Sequence, residues 1–152
     1  MECEPGADMA YKHVLIIDDD VDDIEIFLTA IRSINVPILC STIDDSVQAL
    51  HRLKSGDPAP DLIFMDLNMP VMSGLQCLRK IKQEKSLQTI PVIILSTSND
   101  PVTIAELIAS GACRFITKPA NFNDLKAILK TILFGDPQVP LFPLTMAQAG
   151  LV

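Results

Sequence analysis

The stretch DLIFMD at residues 61–66 places four apolar residues directly before an acid. Short apolar runs of this kind are typical of strands that are buried on both faces of a parallel sheet. Three further runs precede reactive polar residues: VLII (14–17) before Asp18 and Asp19, VIIL (92–95) before Ser96, and FIT (115–117) before Lys118. Because parallel strands finish at one edge, we expect these polar side chains to meet in one crevice, where open α/β sheets bind ligands.

Helix-like segments separate these runs, so the chain divides into five strand–helix units. Predicted strands cover about residues 13–17, 38–42, 61–66, 91–96 and 113–117, and predicted helices cover about 20–34, 44–55, 74–84, 101–111 and 122–134. Candidate helix caps are Asp19 or Asp20, Asp44 or Asp45, and Asn99 or Asp100. Strict alternation with right-handed crossovers predicts an α/β fold with a doubly wound, five-stranded parallel sheet.

The length and charge of the chain limit its function. Its 152 residues suffice for one domain, expected at residues 12–134 after an N-terminal extension at 1–11. Residues 135–152 form a Pro-rich but apolar tail, which we expect to dock on its own domain or on a partner. The net charge of −7 argues against direct binding of nucleic acid.

Targeting signals and cysteine motifs are not evident. The first twelve residues, MECEPGADMAYK, do not resemble a secretory signal, and no apolar run approaches the roughly 20 residues that span a bilayer. The four cysteines are widely spaced and lack a CxxC motif: Cys3, Cys40, Cys77 and Cys113. We therefore expect a cytoplasmic protein with free, mostly buried thiols.

The expected crevice has a definite chemistry. Three carboxylates held close together need a cation at neutral pH, and oxygen ligands favour Mg²⁺. Such a cation, the ammonium of Lys118 and the hydroxyl of Ser96 could together bind a phosphoryl group. Asp66 is the best candidate for a nucleophile that forms an acyl phosphate, because it lies apart from the Asp18–Asp19 pair in the sequence.

Four motifs carry a specific resemblance: LIIDDD (15–20), DLIFMDLNMPVMSG (61–74), PVIILSTS (91–98) and FITKPA (115–120). In this order and spacing they resemble the receiver domain of two-component response regulators, over about residues 12–134. The resemblance implies the CheY-like (flavodoxin-like) fold, with strand order 2-1-3-4-5 and five flanking helices.

The resemblance also implies roles for individual residues. Asp66 would accept a phosphoryl group from a phosphohistidine on a sensor histidine kinase or a phosphotransfer protein. Asp18, Asp19, Asp66 and the backbone carbonyl of Asn68 would hold Mg²⁺, with Lys118 on the phosphoryl group. Ser96 and Phe115 would change position on phosphorylation. The protein would then be a signalling phosphoacceptor that at most phosphorylates and dephosphorylates itself, and not an enzyme with a separate substrate.

Readout and partners are further expectations. Because no output domain follows the fifth helix, the signal would pass to a protein partner, or across a homodimer formed by the fourth helix, fifth strand and fifth helix or by the tail. The PVIILSTSND region and the tail loosely resemble stand-alone receivers that serve bacterial phytochrome-type kinases. Two alternatives remain open: a phosphohydrolase similar to the haloacid dehalogenase group, and a receiver-fold interaction module that is not phosphorylated.

Overall fold

Five parallel strands form the sheet in the computed structural model, which describes residues 11–55 and 58–134. The strands are β1 (His13–Ile17), β2 (Leu39–Ile43), β3 (Leu62–Asp66), β4 (Val92–Ser96) and β5 (Arg114–Thr117). Their order is β2-β1-β3-β4-β5 and every neighbouring pair is parallel. The predicted fold class and strand order are confirmed.

Five helices connect the strands: α1 (Val21–Ile34), α2 (Ser46–Lys54), α3 (Gly74–Gln83), α4 (Pro101–Ala109) and α5 (Phe122–Phe134). Of the alternative caps, Asp20, Asp45 and Asp100 accept hydrogen bonds from the first backbone N–H groups of α1, α2 and α4. The turn after α4 closes at Gly111, whose φ of 108° suits glycine.

The core lies on both faces of the sheet because strand side chains alternate in direction. In β1, Leu15 and Ile17 belong to the cluster that includes residues of α2, α3 and α4, whereas Val14 and Ile16 belong to the cluster with α1 and α5. All five residues of β3 are buried. With both faces covered, the carboxyl edge of the sheet is left for a site.

Some expectations fall outside this description or fail. Apart from Tyr11, the N-terminal extension lies outside the described residues, as does the whole tail at 135–152. Cys77 is buried and free and Cys40 is half-buried and free, but Cys113 is disulfide-bonded, so the expectation of free thiols is wrong for Cys113. No helix within the described ranges is long and apolar enough to cross a bilayer.

Candidate functional site

Three carboxylates meet at the carboxyl edge of the sheet. Asp18 follows β1 and Asp66 ends β3, two strands that pair directly. Together with Asp19 they each offer an oxygen, and these oxygens lie within 4.8 Å of one another. Asp18 and Asp66 are buried, whereas Asp19 is exposed. An all-oxygen cluster of this kind fits a hard divalent cation such as Mg²⁺.

Lys118 adds an ammonium group to the cluster. The residue follows β5, and its backbone N–H donates to the carbonyl of Ser96 at 2.7 Å. Its Nζ lies 3.1 Å from Oδ1 of Asp66 and 3.2 Å from Oδ2 of Asp18. The topology thus brings one cation against two acids that lie far away in the sequence.

A fourth acid, Asp23, was not anticipated from the sequence. Its Oδ2 lies 2.8 Å from Nζ of Lys118. Asp23 occupies the first turn of α1, three residues after the N-cap Asp20. That spacing was the available signal, but first-turn acids are common without any functional role because they favour the helix dipole.

Burial sets the electrostatics of the cluster. Burial raises the pKa of Asp66 to about 6; the charge of Lys118 lowers it and that of Asp18 raises it. Burial also raises the pKa of Asp18, against a backbone hydrogen bond from Asp20 and the charge of Lys118. For Lys118, burial lowers the pKa, but a hydrogen bond to Asp23 and the neighbouring acids outweigh it and raise it overall. The site therefore favours a further positive charge.

The loop after β3 is held close to Asp66. The N–H of Gly74 donates to the carbonyl of Leu67 at 2.7 Å. A Cβ on Gly74 would lie 2.5 Å from the backbone oxygen of Asp66 and 2.8 Å from Cα of Leu67. Only glycine therefore permits this approach. Asn68 lies in the same loop with an exposed side chain, and a role for its carbonyl stays a prediction.

Ser96 is the last residue of β4, and Phe115 is the second residue of β5. Ser96 is fully buried, and its Oγ accepts a hydrogen bond from the backbone N–H of Ser98 at 3.1 Å. Phe115 is also fully buried, in the cluster with α2, α3 and α4. Thr97, the residue after Ser96, is exposed. A change of position by Ser96 or Phe115 stays a prediction.

A cavity of about 250 Å³ opens beside the cluster. Its polar wall contains Asp18, Asp23 and Lys118, and its apolar wall includes Phe27 and Phe122. The cavity therefore lies between the start of α1 and the loop that joins β5 to α5, beside Asp18 and Lys118.

The site as a whole can bind a divalent cation and a phosphoryl group next to a carboxylate nucleophile. Lys118 and the cation would offset the charge of the phosphoryl oxygens, and Asp66 would provide the attacking oxygen. The bottom of the site is formed by rigid strand ends, which fix these groups relative to one another.

Comparison with known proteins agrees with this geometry. The family model described as the response regulator receiver domain matches residues 14–130. The two-component response regulator ARR17 of Arabidopsis thaliana is 32% identical over 142 residues, which cover 83% of this chain and 92% of ARR17. Plant regulators are among the relatives, so the comparisons do not indicate a bacterial source.

Two solved structures are similar throughout the fold. The phosphorylated cyanobacterial phytochrome response regulator RcpA has a TM-score of 0.74 and 33% identity, covering 81% of this chain and 91% of its own. The Mn²⁺-bound response regulator Rcp1 has a TM-score of 0.73 and 26% identity, with coverage of 80% and 91%. The family match, the fold and the acidic cluster agree, and the chain belongs to the receiver domains of two-component response regulators.

Proposed function

We propose that this receiver accepts a phosphoryl group on Asp66 and passes the signal on by a change of conformation. The donor is a phosphohistidine of a sensor histidine kinase or a histidine phosphotransfer protein. The observation that carries the proposal is the position of Asp66: its Oδ1 lies 3.1 Å from Nζ of Lys118, within the oxygen cluster shared with Asp18 and Asp19.

In the transfer, a carboxylate oxygen of Asp66 attacks the phosphorus of the donor. The P–O bond forms while the P–N bond to the imidazole breaks, and the imidazole leaves with its electron pair. Asp18, Asp19 and Asp66 would hold Mg²⁺, which would supply positive charge to offset that of the phosphoryl oxygens. Lys118 contributes a second positive charge beside the same oxygens.

The phosphoryl group then competes for the hydroxyl of Ser96. In the unphosphorylated protein this hydroxyl holds the backbone N–H of Ser98. The N–H of Asp100 in turn contacts Oγ of Ser98 at 3.4 Å, and Asp100 caps α4. When the side chain of Ser96 turns to donate to a phosphoryl oxygen, its Oγ moves away from the N–H of Ser98, so this chain of hydrogen bonds loosens and the start of α4 shifts. The phosphoryl group thereby favours a second state of the domain, with Phe115 repacking in it.

The readout surface is formed by α4, β5 and α5. Within the described part of the chain, α4 has one buried residue, Leu107, and its Val102 is 75% exposed. A target protein, or a second copy of the chain, binds this apolar surface. The cognate kinase belongs to the phytochrome type, in line with the similarity to RcpA.

Phosphorylation with a small phosphodonor tests the proposal. The protein is incubated with labelled acetyl phosphate and Mg²⁺, and we expect a label that hydroxylamine removes, as for an acyl phosphate. Asp66→Asn abolishes the label, whereas Asp44→Asn, an exposed acid that follows β2, retains it. A label of equal size in Asp66→Asn rejects Asp66 as the acceptor. Release of many equivalents of phosphate per protein instead favours a phosphohydrolase.

A further inference from the structure

The hydroxyl of Thr117 is buried without a hydrogen-bond partner. Thr117 is the last residue of β5 and directly precedes Lys118. Its Oγ1 is buried, and no group within residues 11–55 and 58–134 forms a hydrogen bond with it. A buried hydroxyl without a partner costs free energy that an apolar side chain of the same shape would not cost. The transfer of a phosphoryl group to Asp66 does not use this hydroxyl.

Thr117 lies beside Ser96 on the same face of the sheet. The two residues are register partners in the parallel pair of β4 and β5, and neighbouring strands lie about 4.8 Å apart. Because side chains alternate along a strand, Thr117 turns to the face of Phe115 and Ser96 to the face of Ile94. Phe115 and Ile94 belong to one cluster, together with Leu107 of α4. The hydroxyls of Thr117 and Ser96 are therefore neighbours on the face that α4 covers.

Ser96 holds a backbone group that it gives up on switching. Its Oγ accepts from the N–H of Ser98 at 3.1 Å. Under the proposed function, on which this inference rests, the side chain of Ser96 turns toward a phosphoryl group on Asp66. Asp66 ends β3, which pairs with β4 on the side away from β5, so the Oγ of Ser96 moves away from Thr117. The N–H of Ser98 then needs a new acceptor.

We propose that Oγ1 of Thr117 accepts the N–H of Ser98 in the phosphorylated state. A threonine hydroxyl has two lone pairs that can accept such a bond. Thr117 does not touch the phosphoryl group; it is a positioning residue that holds the loop between β4 and α4, residues 97–100, in its second position. Because its oxygen is unpaired in the first state and bonded in the second, Thr117 favours the second state.

The side chains of the loop itself are less suitable acceptors. Oδ2 of Asp100 already accepts from the N–H of Thr103 at 3.2 Å and from its Oγ1 at 2.8 Å. These bonds cap α4, so a further bond to Asp100 would compete with the start of the helix. Thr97 is exposed, and its hydroxyl is open to solvent competition. Thr117 is the neighbour whose oxygen is both buried and unused.

Exchange of the Ser98 amide with solvent tests the inference. It is measured by NMR on the full chain, with Mg²⁺ alone and with Mg²⁺ plus beryllofluoride, a stable analogue of a phosphoryl group on a carboxylate. With beryllofluoride, we expect this amide to exchange about tenfold faster in Thr117→Val than in the unmodified protein. With Mg²⁺ alone the two proteins should agree, because Ser96 holds the amide.

Two further variants act as controls for the first measurement. Thr117→Ser keeps a hydroxyl at this position and should restore slow exchange of the Ser98 amide in the presence of beryllofluoride. Thr42→Val changes a strand threonine in β2, at the opposite edge of the sheet, and should have no effect.

A second measurement does not depend on phosphorylation. Ser96→Ala removes the Oγ that holds the Ser98 amide, so the amide passes to Thr117 without any phosphoryl group. Adding Thr117→Val should then speed its exchange by about tenfold over Ser96→Ala alone. If this result is obtained while acetyl phosphate fails to label Asp66 in the unmodified protein, the proposed function is rejected and the bond to Thr117 stands.

Three results overturn the inference. One is unchanged exchange of the Ser98 amide on Thr117→Val with beryllofluoride, in a protein whose Asp66 takes the label. Another is unchanged exchange on adding Thr117→Val to Ser96→Ala. The third is a fall in Tm of about 4 °C or more on Thr117→Val with Mg²⁺ alone, since the hydroxyl would then already be bonded in the first state. We expect that Tm to be equal or higher, because valine removes an unpaired hydroxyl.

Discussion

The ammonium of Lys118 lies nearer to Asp23, at 2.8 Å, than to Asp66, at 3.1 Å. The ion pair thereby connects the first turn of α1 to Lys118, which follows β5 and also contacts the proposed phosphoacceptor. The side chain of Asp23 is 39% exposed, whereas that of Asp66 is 9% exposed. Asp23 therefore positions Lys118 from the rim of the site, while Lys118 itself reaches the reacting group.

Substitution of these two residues should separate their roles. Lys118→Met removes a charge beside the phosphoryl oxygens, so we expect the initial rate of labelling by acetyl phosphate to fall by about 10²-fold. Asp23→Asn leaves Lys118 with two other acids, and the expected fall is less than about threefold. Equal losses in the two variants would contradict the assignment of Asp23 as a positioning residue.

Binding of Mg²⁺ should stabilise the fold, because the bound ion relieves repulsion among buried carboxylates. At a Mg²⁺ concentration of 100 times Kd, binding of the ion raises the free energy of unfolding by about 2.7 kcal/mol. We expect a rise in Tm of roughly 5–10 °C that EDTA reverses. Asp19→Asn should largely remove this rise without loss of fold, since Asp19 is exposed. Asp44→Asn, the control, should retain it.

Gly74 should tolerate no larger residue. The nearest atoms to an added Cβ belong to the backbone of Asp66 and Leu67, so they cannot move aside as a flexible side chain would. Gly74→Ala should destabilise the protein by about 1–3 kcal/mol in urea unfolding and slow labelling of Asp66. Ser73→Ala removes only the cap of α3, at about 1 kcal/mol, and should label at the normal rate. Normal labelling of Gly74→Ala would show that the loop position is not required.

Arg79 should restrain α4 in the unphosphorylated state. Its guanidinium reaches across from α3, with Nη2 3.1 Å from Glu106 and Nε 3.2 Å from Oγ of Ser110. An exposed pair contributes less than about 1 kcal/mol, so Arg79→Ala should leave global stability almost unchanged. Amide exchange in α4 should nevertheless become about two- to fivefold faster. Lys80→Ala, a neighbouring exposed change, should not alter it.

The free cysteines of the described ranges, Cys40 and Cys77, should differ in their reaction with iodoacetamide. Burial raises the pKa of Cys77 to about 12, which leaves almost no thiolate at pH 8. Alkylation of Cys77 should stay below that of the half-buried Cys40, and should rise about tenfold per pH unit while the fold persists. Peptide mass spectrometry reads both sites. Faster modification of Cys77 than of Cys40 would contradict its burial.

Much of the site could be predicted from the sequence because the relevant side chains follow apolar strands directly. Asp18, Asp66, Ser96 and Lys118 each lie at or just beyond a strand end, and parallel topology brings strand ends together. Apolar periodicity, together with cap and turn residues, likewise predicted all five helices to within a few residues. Roles that depend on a bound phosphoryl group, such as those of Ser96 and Phe115, are visible neither in the sequence pattern nor in the structure.

The sequence by itself determined the class of fold, the strand order implied by family resemblance and the identity of the acidic residues at the sheet edge. Only the tertiary structure decided that Asp23 reaches Lys118 across 95 residues and that Nε and Nη1 of the buried Arg114 have no acceptor among the described residues. Local patterns specify strands and helices because buried apolar residues recur along the sequence with the period that is characteristic of each element. They do not specify which charged side chains meet, because that depends on the packing of α1 against α5 over the sheet.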